Sequence, residues 1–247
     1  MAGHSAWKNI KHKKAAADAK RGKAWSKCVR AIIMAARSGG DPDANISLRA
    51  AIDEARYHNV PRDTIENAIK KGTGELAQDN IESALYEGYG PGGVAMLLEI
   101  LTNNRDRTAP EIKGLFQKYG GNLGASGCAA YLFASKGQVL VAKAGTPEDK
   151  VMEIALEAGA DDVADEGDHW AIVCAPNQFM AVRQAVAKAG LDIASAGLTM
   201  VPATTVEVRG ETAKHVLDLI EALEDHDDVQ KVHANCDIPE EELAALK

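Results

Sequence analysis

Apolar residues recur with the spacing of an α-helix between residues 25 and 36, at i, i+3, i+4, i+7, i+8 and i+11. At 100° per residue they occupy an arc of about 140°, which predicts an amphipathic helix. Five cations fall in a separate arc of about 100° on the far side of this helix. We therefore expect one side to pack and the other to be positive. The apolar side comprises Trp25, Cys28, Val29, Ile32, Ile33 and Ala36, and the positive side comprises Lys20, Lys23, Lys27, Arg30 and Arg37.

Two more helices are predicted before residue 78. Gly39-Gly40 ends the first helix, and a second apolar stripe runs from Leu48 to Ala55. A third helix begins at Pro61 and ends at Gly72 after a cationic last turn. Residues 1–17 show no apolar period, so we expect a mobile arm there, or a helix that orders on a partner. Residues 1–78 are thus predicted to form a basic helical domain with a mobile N-terminal arm.

The pattern then changes to that of strands. Residues 84–89 and 94–101 predict a hairpin across Gly90-Pro91-Gly92-Gly93, followed by a helix over 106–119 and a strand over 129–133. Near the end of the chain, a strand, a helix and a strand over 204–209, 211–225 and 228–234 could complete the same sheet. We therefore predict a discontinuous α/β domain formed by residues 79–134 and 203–247.

The intervening segment has its own pattern of strands and helices. Its order, strand-helix-strand-strand-helix-strand, is that of a ferredoxin-like sandwich, in which two helices cover one face of an antiparallel sheet. The predicted fold class is α+β, with a three-helix N-terminal domain followed by two α/β sandwich domains, the inserted one, 135–202, being ferredoxin-like. The predicted elements are strand 138–142, helix 147–158, strands 161–164 and 169–174, helix 177–189 and strand 194–201.

Charge is distributed unevenly along the chain, although the net charge is −8. Residues 1–72 carry 15 lysines and arginines against 7 aspartates and glutamates, whereas the remainder carries 13 against 29. A basic segment attached to an acidic body suggests that one part binds polyanions. Nine cations lie between residues 8 and 30, with Asp18 as the one acid among them, and phosphates would neutralise such a cluster. These cations are Lys8, Lys11, Lys13, Lys14, Lys20, Arg21, Lys23, Lys27 and Arg30.

Aromatic and glycine-rich motifs add candidates with competing interpretations. Trp7 lacks helical apolar neighbours and could stack on an exposed base, whereas Trp25 begins the apolar stripe and is predicted to be core. Arg105 and Arg107 could meet phosphate at a helix start, or Asn104 or Asp106 could cap that helix while both arginines pair with acids. Glycines at 120–127 could admit a ligand to backbone amides or merely form tight turns.

The pattern Gly88-Tyr89-Gly90-Pro91-Gly92-Gly93 matches a dinucleotide-binding motif only formally. A strand rather than a helix follows it, so we interpret it as a hairpin turn. The acidic clusters Asp161-Asp162 and Asp225, Asp227 and Asp228 are interpreted as solvated turns.

No catalytic motif is recognised, and His226, His233 and Cys236 match no established metal spacing. We therefore expect no enzyme activity, no metal site and no cofactor. The four cysteines are far apart, and the first residues lack an apolar signal core. A cytoplasmic protein without a membrane partner is expected.

Several motifs occur in the order typical of one family. With these motifs the sequence resembles the YebC/PmpR family over essentially its whole length. One departure lies at residues 6–8, which are Ala6-Trp7-Lys8. The family more often has Lys, then Trp, then a small residue at these positions, so the first cation is displaced. The motifs are Ala2-Gly3-His4-Ser5, Trp7, Ala19–Lys23, Gly40–Asn45, Tyr86–Gly93, Asn104-Arg105 and Gly120–Gly124.

The resemblance implies a helical N-terminal domain and two α/β domains, one of them discontinuous. Family members are usually described as probable DNA-binding transcriptional regulators, and relatives include the mitochondrial translational activator of cytochrome c oxidase and bacterial ribosome-associated factors. We hypothesise a nucleic-acid-binding regulator of gene expression, DNA-binding in the first instance, whose basic arm and first helix contact phosphates. The alternatives are a translation factor that binds ribosomal RNA, and a protein-interaction adaptor. The partner would be DNA or ribosomal RNA, with the ribosome or the transcription machinery.

Overall fold

The structure is a computed structural model that describes residues 18–77, 80–239 and 241–242. These residues form seven helices and ten strands. The helices are α1 (Asp18–Ala36), α2 (Ile46–Tyr57), α3 (Arg62–Thr73), α4 (Arg105–Lys118), α5 (Glu148–Glu157), α6 (Phe179–Lys188) and α7 (Gly210–Glu224). The strands are β1 (Glu82–Tyr89), β2 (Ala95–Thr102), β3 (Asn122–Leu123), β4 (Phe133–Ala142), β5 (Asp162–Glu166), β6 (His169–Cys174), β7 (Ile193–Pro202), β8 (Val206–Glu207), β9 (Val229–Ala234) and β10 (Cys236–Asp237).

The first three helices form one unit around an apolar cluster that includes Ile32, Leu48 and Ile65, each nearly or fully buried. The stripe predicted for α1 supplies much of this cluster. Helix α2 begins at its cap, Asn45, whose side chain accepts the N–H of Leu48 at 3.0 Å. Helices α1 and α3 approach closely because Gly72 has no side chain at their contact: a Cβ there would lie 2.5 Å from the Cβ of Ala36.

The first sheet has the strand order β3-β1-β2-β9. Strands β1 and β2 pair antiparallel as the predicted hairpin, joined by a 3-10 turn at Pro91–Gly93. Strand β9 pairs with β2, so the chain returns to this sheet after the intervening segment. Helices α4 and α7 contribute Phe116 and Ile220 to the core of this unit, together with Met96 of β2.

The second sheet has the order β5-β6-β4-β7, and all its neighbouring strands are antiparallel. Counted along the segment, this is the order 2-3-1-4 of the ferredoxin-like sandwich. Helices α5 and α6 cover one face and bury Val151 and Val182 against Val139 and Ile172 of the sheet. The predicted α+β fold class, with a ferredoxin-like unit, is confirmed.

Two segments differ from the predicted strands. Residues 129–133 form a 3-10 turn at Ala130–Leu132 that leads into β4, and the third strand of the first sheet is the short β3. In the segment 204–209 only β8 is a strand, and it pairs parallel with β10 in a separate two-stranded sheet. Residues Ala129 and Phe133 have the apolar character of a strand, but the turn before β4 takes that segment out of the first sheet.

The units also contact one another through polar side chains. Arg183 of α6 lies 3.2 Å from the carboxylate of Asp53 on α2. Lys231 of β9 donates to the carbonyl of Leu198 on β7 at 3.4 Å. Within the residues described, no helix is both long and apolar enough to cross a membrane.

Candidate nucleic-acid interface

The positive side of α1 lies against the C-terminal end of α7. Lys23 donates to the carbonyl of Asp225 at 3.0 Å, and Lys27 donates to the carbonyl of Glu224. Arg30 donates to the carbonyl of Asp227 at 2.7 Å. The spacing of four and then three residues places these three cations on one side of the helix. We call this contact, formed by Lys23, Lys27 and Arg30 with residues 224–228, the α1–α7 junction.

Carbonyl groups at the end of α7 are suitable acceptors for cations. The last carbonyls of a helix have no partner within the helix, and the aligned peptide dipoles give this end a partial negative charge. Asp225 and Asp227 are exposed beside these carbonyls and add negative charge. The α1–α7 junction therefore joins the two units electrostatically.

Asp228 is the buried carboxylate of the α1–α7 junction, with a relative exposure of 1%. Its Oδ1 lies 2.8 Å from Nη1 of Arg30, and its Oδ2 lies 2.6 Å from Nη2 of Arg107. The hydroxyl of Thr108 donates to Oδ2 at 2.7 Å, and that of Thr102 does so at 3.2 Å. Two arginines from different units thus share one buried carboxylate.

The pKa of Asp228 reflects a competition between burial and these partners. Burial alone would raise the pKa, because it removes the carboxylate from water. The hydrogen bonds from Thr108 and Arg107 and the charges of Arg30 and Arg107 outweigh that effect, and the pKa lies below its ordinary value of 3.8. The carboxylate is therefore ionised at neutral pH.

The second predicted group of cations lies at the start of α4. Asn104 caps this helix by accepting the N–H of Arg107 at 3.1 Å. Arg105 pairs with Glu82 at 2.8 Å and donates to the carbonyl of Ser83 at 3.0 Å, whereas Arg107 faces Asp228. Of the two interpretations that the sequence left open, capping with acid-paired arginines describes this site.

The predicted site residues fall into three groups. Lys23, Lys27, Arg30 and Arg107 lie together at the α1–α7 junction, and Arg105 lies apart from them beside β1. Lys20 and Arg21 belong to α1, but their side chains are not among those described. Trp7, Lys8, Lys11, Lys13 and Lys14 lie outside the described residues.

Trp25, which the sequence predicted to be core, is half-buried at the edge of the core. It packs against the apolar cluster of the N-terminal unit, and its indole N–H donates to the carbonyl of His58 at 2.9 Å. The hydrogen bond therefore ties the indole to the N-terminal unit.

The glycines at 120–127 serve close packing around Glu87, a buried carboxylate of β1. The Glu87 carboxylate accepts the backbone N–H groups of Gly127, Ala129 and Ala130 at 2.6, 2.8 and 2.7 Å. At Gly121, an added Cβ would lie 2.6 Å from the carbonyl oxygen of Tyr89. These backbone amides are directed at an internal carboxylate, which agrees with the tight-turn interpretation.

The interpretation of Asp228 as part of a solvated turn was wrong. Asp225 and Asp227 are exposed as expected, but the next acid turns inward to meet Arg30 and Arg107. A sequence signal existed only indirectly: Asp228 directly precedes the buried strand β9, so a polar side chain at that position had to be solvated or paired. The histidines nearby are paired too: His226 with Glu111 at 3.0 Å, and the buried His233 with Glu99 at 2.8 Å.

Comparisons with known proteins agree with this architecture. The crystal structure of a conserved hypothetical protein from Aquifex aeolicus is similar, with a TM-score of 0.84 and 46% identity, covering 93% of this chain and 96% of that one. A Geobacter sulfurreducens protein named "Probable transcriptional regulatory protein" is 50% identical over 247 residues, the whole of both chains. A protein of the same name from Rubrobacter xylanophilus is 51% identical, with 100% of this chain and 99% of that one covered.

Two family models match the chain in sequence. One, described as the TACO1/YebC protein N-terminal domain, matches residues 5–75. The other, described as the TACO1/YebC second and third domain, matches residues 81–236. Since these matches cover nearly all of the chain and the relatives are about half identical over their full length, the protein belongs to the TACO1/YebC family.

Proposed function

We propose that the protein is a nucleic-acid-binding regulator of gene expression, in the first instance a DNA-binding transcriptional regulator. The observation that carries this proposal is the cluster of nine cations between residues 8 and 30, attached to an otherwise acidic chain. Binding of such a cluster to a polyanion is favourable because phosphate contacts release condensed counterions. The name shared by the relatives from Geobacter sulfurreducens and Rubrobacter xylanophilus supports the regulatory part of the proposal.

The proposed phosphate contacts are divided between the arm and α1. Three of the nine cations contact the end of α7, so the first contacts are assigned to the six that precede them. Trp7 directly precedes these six and would supply base stacking, which tolerates any sequence. Arg105 and Arg107 become secondary candidates because both already pair with acids. The six cations are Lys8, Lys11, Lys13, Lys14, Lys20 and Arg21.

A translation factor that binds structured RNA is the second candidate, and the surfaces of α2 and α3 favour it. These helices expose acids beside their cations, among them Glu54, Asp63 and Glu66. A helix that reads base edges in the major groove would bring such carboxylates close to phosphates. Contacts to shape and backbone, which are sufficient on RNA, need no such helix.

Charge reversal of the arm and of the start of α1 tests nucleic-acid binding. In one variant Lys11, Lys13, Lys14 and Lys20 are changed to Glu; in a matched control the exposed Lys113, Lys150, Lys188 and Lys214 are changed to Glu, so both variants carry the same net charge. Affinity for a labelled DNA duplex and a structured RNA is measured across a salt series. We expect the first variant to lose at least roughly tenfold in affinity and most of its salt dependence.

Two results would contradict the proposal. Equal losses in both variants would mean that net charge alone governs binding. Unchanged affinity in the arm variant would leave the protein-interaction adaptor as the better hypothesis.

Ultraviolet crosslinking in growing cells, with sequencing of the attached DNA and RNA, separates the two nucleic acids. Promoter DNA that is enriched with the wild type and lost with the arm variant would identify a transcriptional regulator. Crosslinks at defined nucleotides of ribosomal RNA, without promoter enrichment, would identify a translation factor.

We also propose a location, a set of partners and a division into domains. The protein would act in the cytoplasm, together with the transcription machinery or the ribosome. It would act without a cofactor and without catalysing a reaction. Its three apolar clusters would correspond to domains 1–78, 79–134 with 203–247, and 135–202.

A further inference from the structure

The α1–α7 junction presents oxygen acceptors to the cations of α1 much as a phosphate backbone would. Lys23, Lys27 and Arg30 each donate to a carbonyl of the segment 224–227, and Arg30 also meets the carboxylate of Asp228. Successive acceptors therefore follow the positive side of α1 over two helical turns. A nucleic-acid strand would place its phosphate oxygens against the same donors.

We propose that the end of α7 is an internal substitute for phosphate that covers the cations of α1, so that the α1–α7 junction and nucleic acid compete for Lys23, Lys27 and Arg30. This inference rests on the proposed function and adds a way in which nucleic-acid binding would be regulated. In the closed state, nucleic acid contacts only the preceding cations. Opening of the junction adds three contacts and separates the end of α7 from α1.

The contacts are of a kind that nucleic acid can replace. Lys23 is exposed, and its acceptor here is a carbonyl with only a partial charge. A phosphate carries a full negative charge and forms stronger, charge-assisted hydrogen bonds. Exchange of the carbonyl for a phosphate is therefore favourable for the lysine, provided that a phosphate is held nearby.

Asp228 keeps enough partners for the junction to open. If Arg30 leaves, the carboxylate retains Arg107 and the hydroxyls of Thr102 and Thr108. The buried charge of Asp228 is then still paired. An unpaired buried charge would oppose opening of the junction. Arg107 and both threonines belong to the same unit as Asp228, so this cluster can stay assembled while α1 departs.

The test weakens the junction without changing Lys23, Lys27 or Arg30 themselves. Asp228→Asn keeps the shape of the side chain but removes the charge that pairs with both Arg30 and Arg107. Thr108→Val removes a hydroxyl that orients the carboxylate and serves as a second variant if Asp228→Asn does not give a cooperative melt. Asp53→Asn is the matched control, because it makes the same change at an ion pair between α2 and α6 that does not involve α1.

Affinity for a short labelled DNA duplex and for a structured RNA is measured at fixed salt. We expect Asp228→Asn to tighten binding roughly 3- to 10-fold, the effect of weakening one hydrogen-bonded charge pair, and Asp53→Asn to leave it within twofold. Adding Lys23→Gln and Lys27→Gln to Asp228→Asn should reduce the gain and lower the salt dependence by about two contacts, and adding Arg30→Gln as well should abolish the gain.

Unchanged or weaker binding by both Asp228→Asn and Thr108→Val would overturn the competition. So would a gain that survives the loss of Lys23, Lys27 and Arg30 together, since it would then come from another cation such as Arg107. The two failures can be told apart: if the charge-reversed arm variant still binds less tightly than its control, the proposed function stands and only the competition is lost.

Discussion

Nη1 of Arg30 lies 2.8 Å from Oδ1 of Asp228, so an arginine of the first helix pairs with a carboxylate 198 residues further along the chain. This pair ties the N-terminal unit to the unit formed around the first sheet. Arg30 was predicted to contact phosphate, and here it forms an ion pair within the protein. Loss of Arg30 would therefore affect the α1–α7 junction as well as any nucleic-acid contact.

Asp228→Ala should destabilise the protein by about 2–4 kcal/mol, because it removes the buried carboxylate with which both Arg30 and Arg107 pair. Urea unfolding at neutral pH measures this change. The exposed neighbour provides the control: Asp227→Ala should stay within about 0.5 kcal/mol of the wild type. Equal effects of the two substitutions would mean that the buried carboxylate contributes little.

Gly72→Ala should destabilise the N-terminal unit by about 1–3 kcal/mol, since the new Cβ would lie 2.5 Å from both the Cβ of Ala36 and the carbonyl oxygen of Ile33. Gly114→Ala is the opposite case. No heavy atom lies within 4 Å of a Cβ at Gly114, which is exposed in α4, so alanine should stabilise there by about 0.5–1 kcal/mol. Thermal melts of the two variants should shift in opposite directions, and shifts of the same sign would contradict the close packing of α1 on α3.

Glu87→Gln should destabilise the protein at pH 7 by about 1–3 kcal/mol, because three backbone N–H groups lose a charged acceptor. Burial raises the pKa of Glu87, but these N–H groups outweigh it and hold the pKa below its ordinary value of 4.5. The folded pKa is therefore lower than the unfolded one, so the contribution is complete above pH 4.5 and is lost as the pH falls through the folded pKa.

The difference between wild type and Glu87→Gln should accordingly shrink when urea unfolding is repeated near pH 3. Glu153→Gln, at an exposed position on α5, should show no such dependence. A gap that is constant between pH 7 and pH 3 would mean that the folded pKa of Glu87 is not lower than its unfolded pKa.

Residues 133–202 should fold as an isolated fragment. The fragment contains all four strands of the second sheet, both covering helices and a separate apolar cluster that includes Val139, Ile172 and Val182. A single cooperative urea transition, with the far-ultraviolet circular dichroism of a mixed fold, is the expected result. Ile172→Asp should abolish that transition. A fragment without cooperative unfolding would mean that this unit depends on its neighbours.

Periodicity predicted the elements whose packing is local. The stripe from Trp25 to Ala36 identified α1, and the order of elements between β4 and β7 identified the ferredoxin-like unit, because each is encoded by side chains close in sequence. The role of Asp228 could not be predicted in this way, since it depends on Arg30 and Arg107 arriving from distant elements. The sequence also could not show that the cations of α1 already have acceptors, because charge counts contain no information on which surfaces meet.

The return of the chain to the first sheet through β9 sets an order of events during synthesis. Helix α1 leaves the ribosome well before Asp228 has been translated, and at about 5–20 residues per second the interval of 198 residues takes roughly 10–40 s. Throughout that time Lys23, Lys27 and Arg30 have no α7 to contact, while the surrounding ribosomal surface is rich in RNA phosphate. The nascent chain is thus exposed to a polyanion before its own acceptor exists, and the arrival of residues 224–228 is the step that ends this exposure.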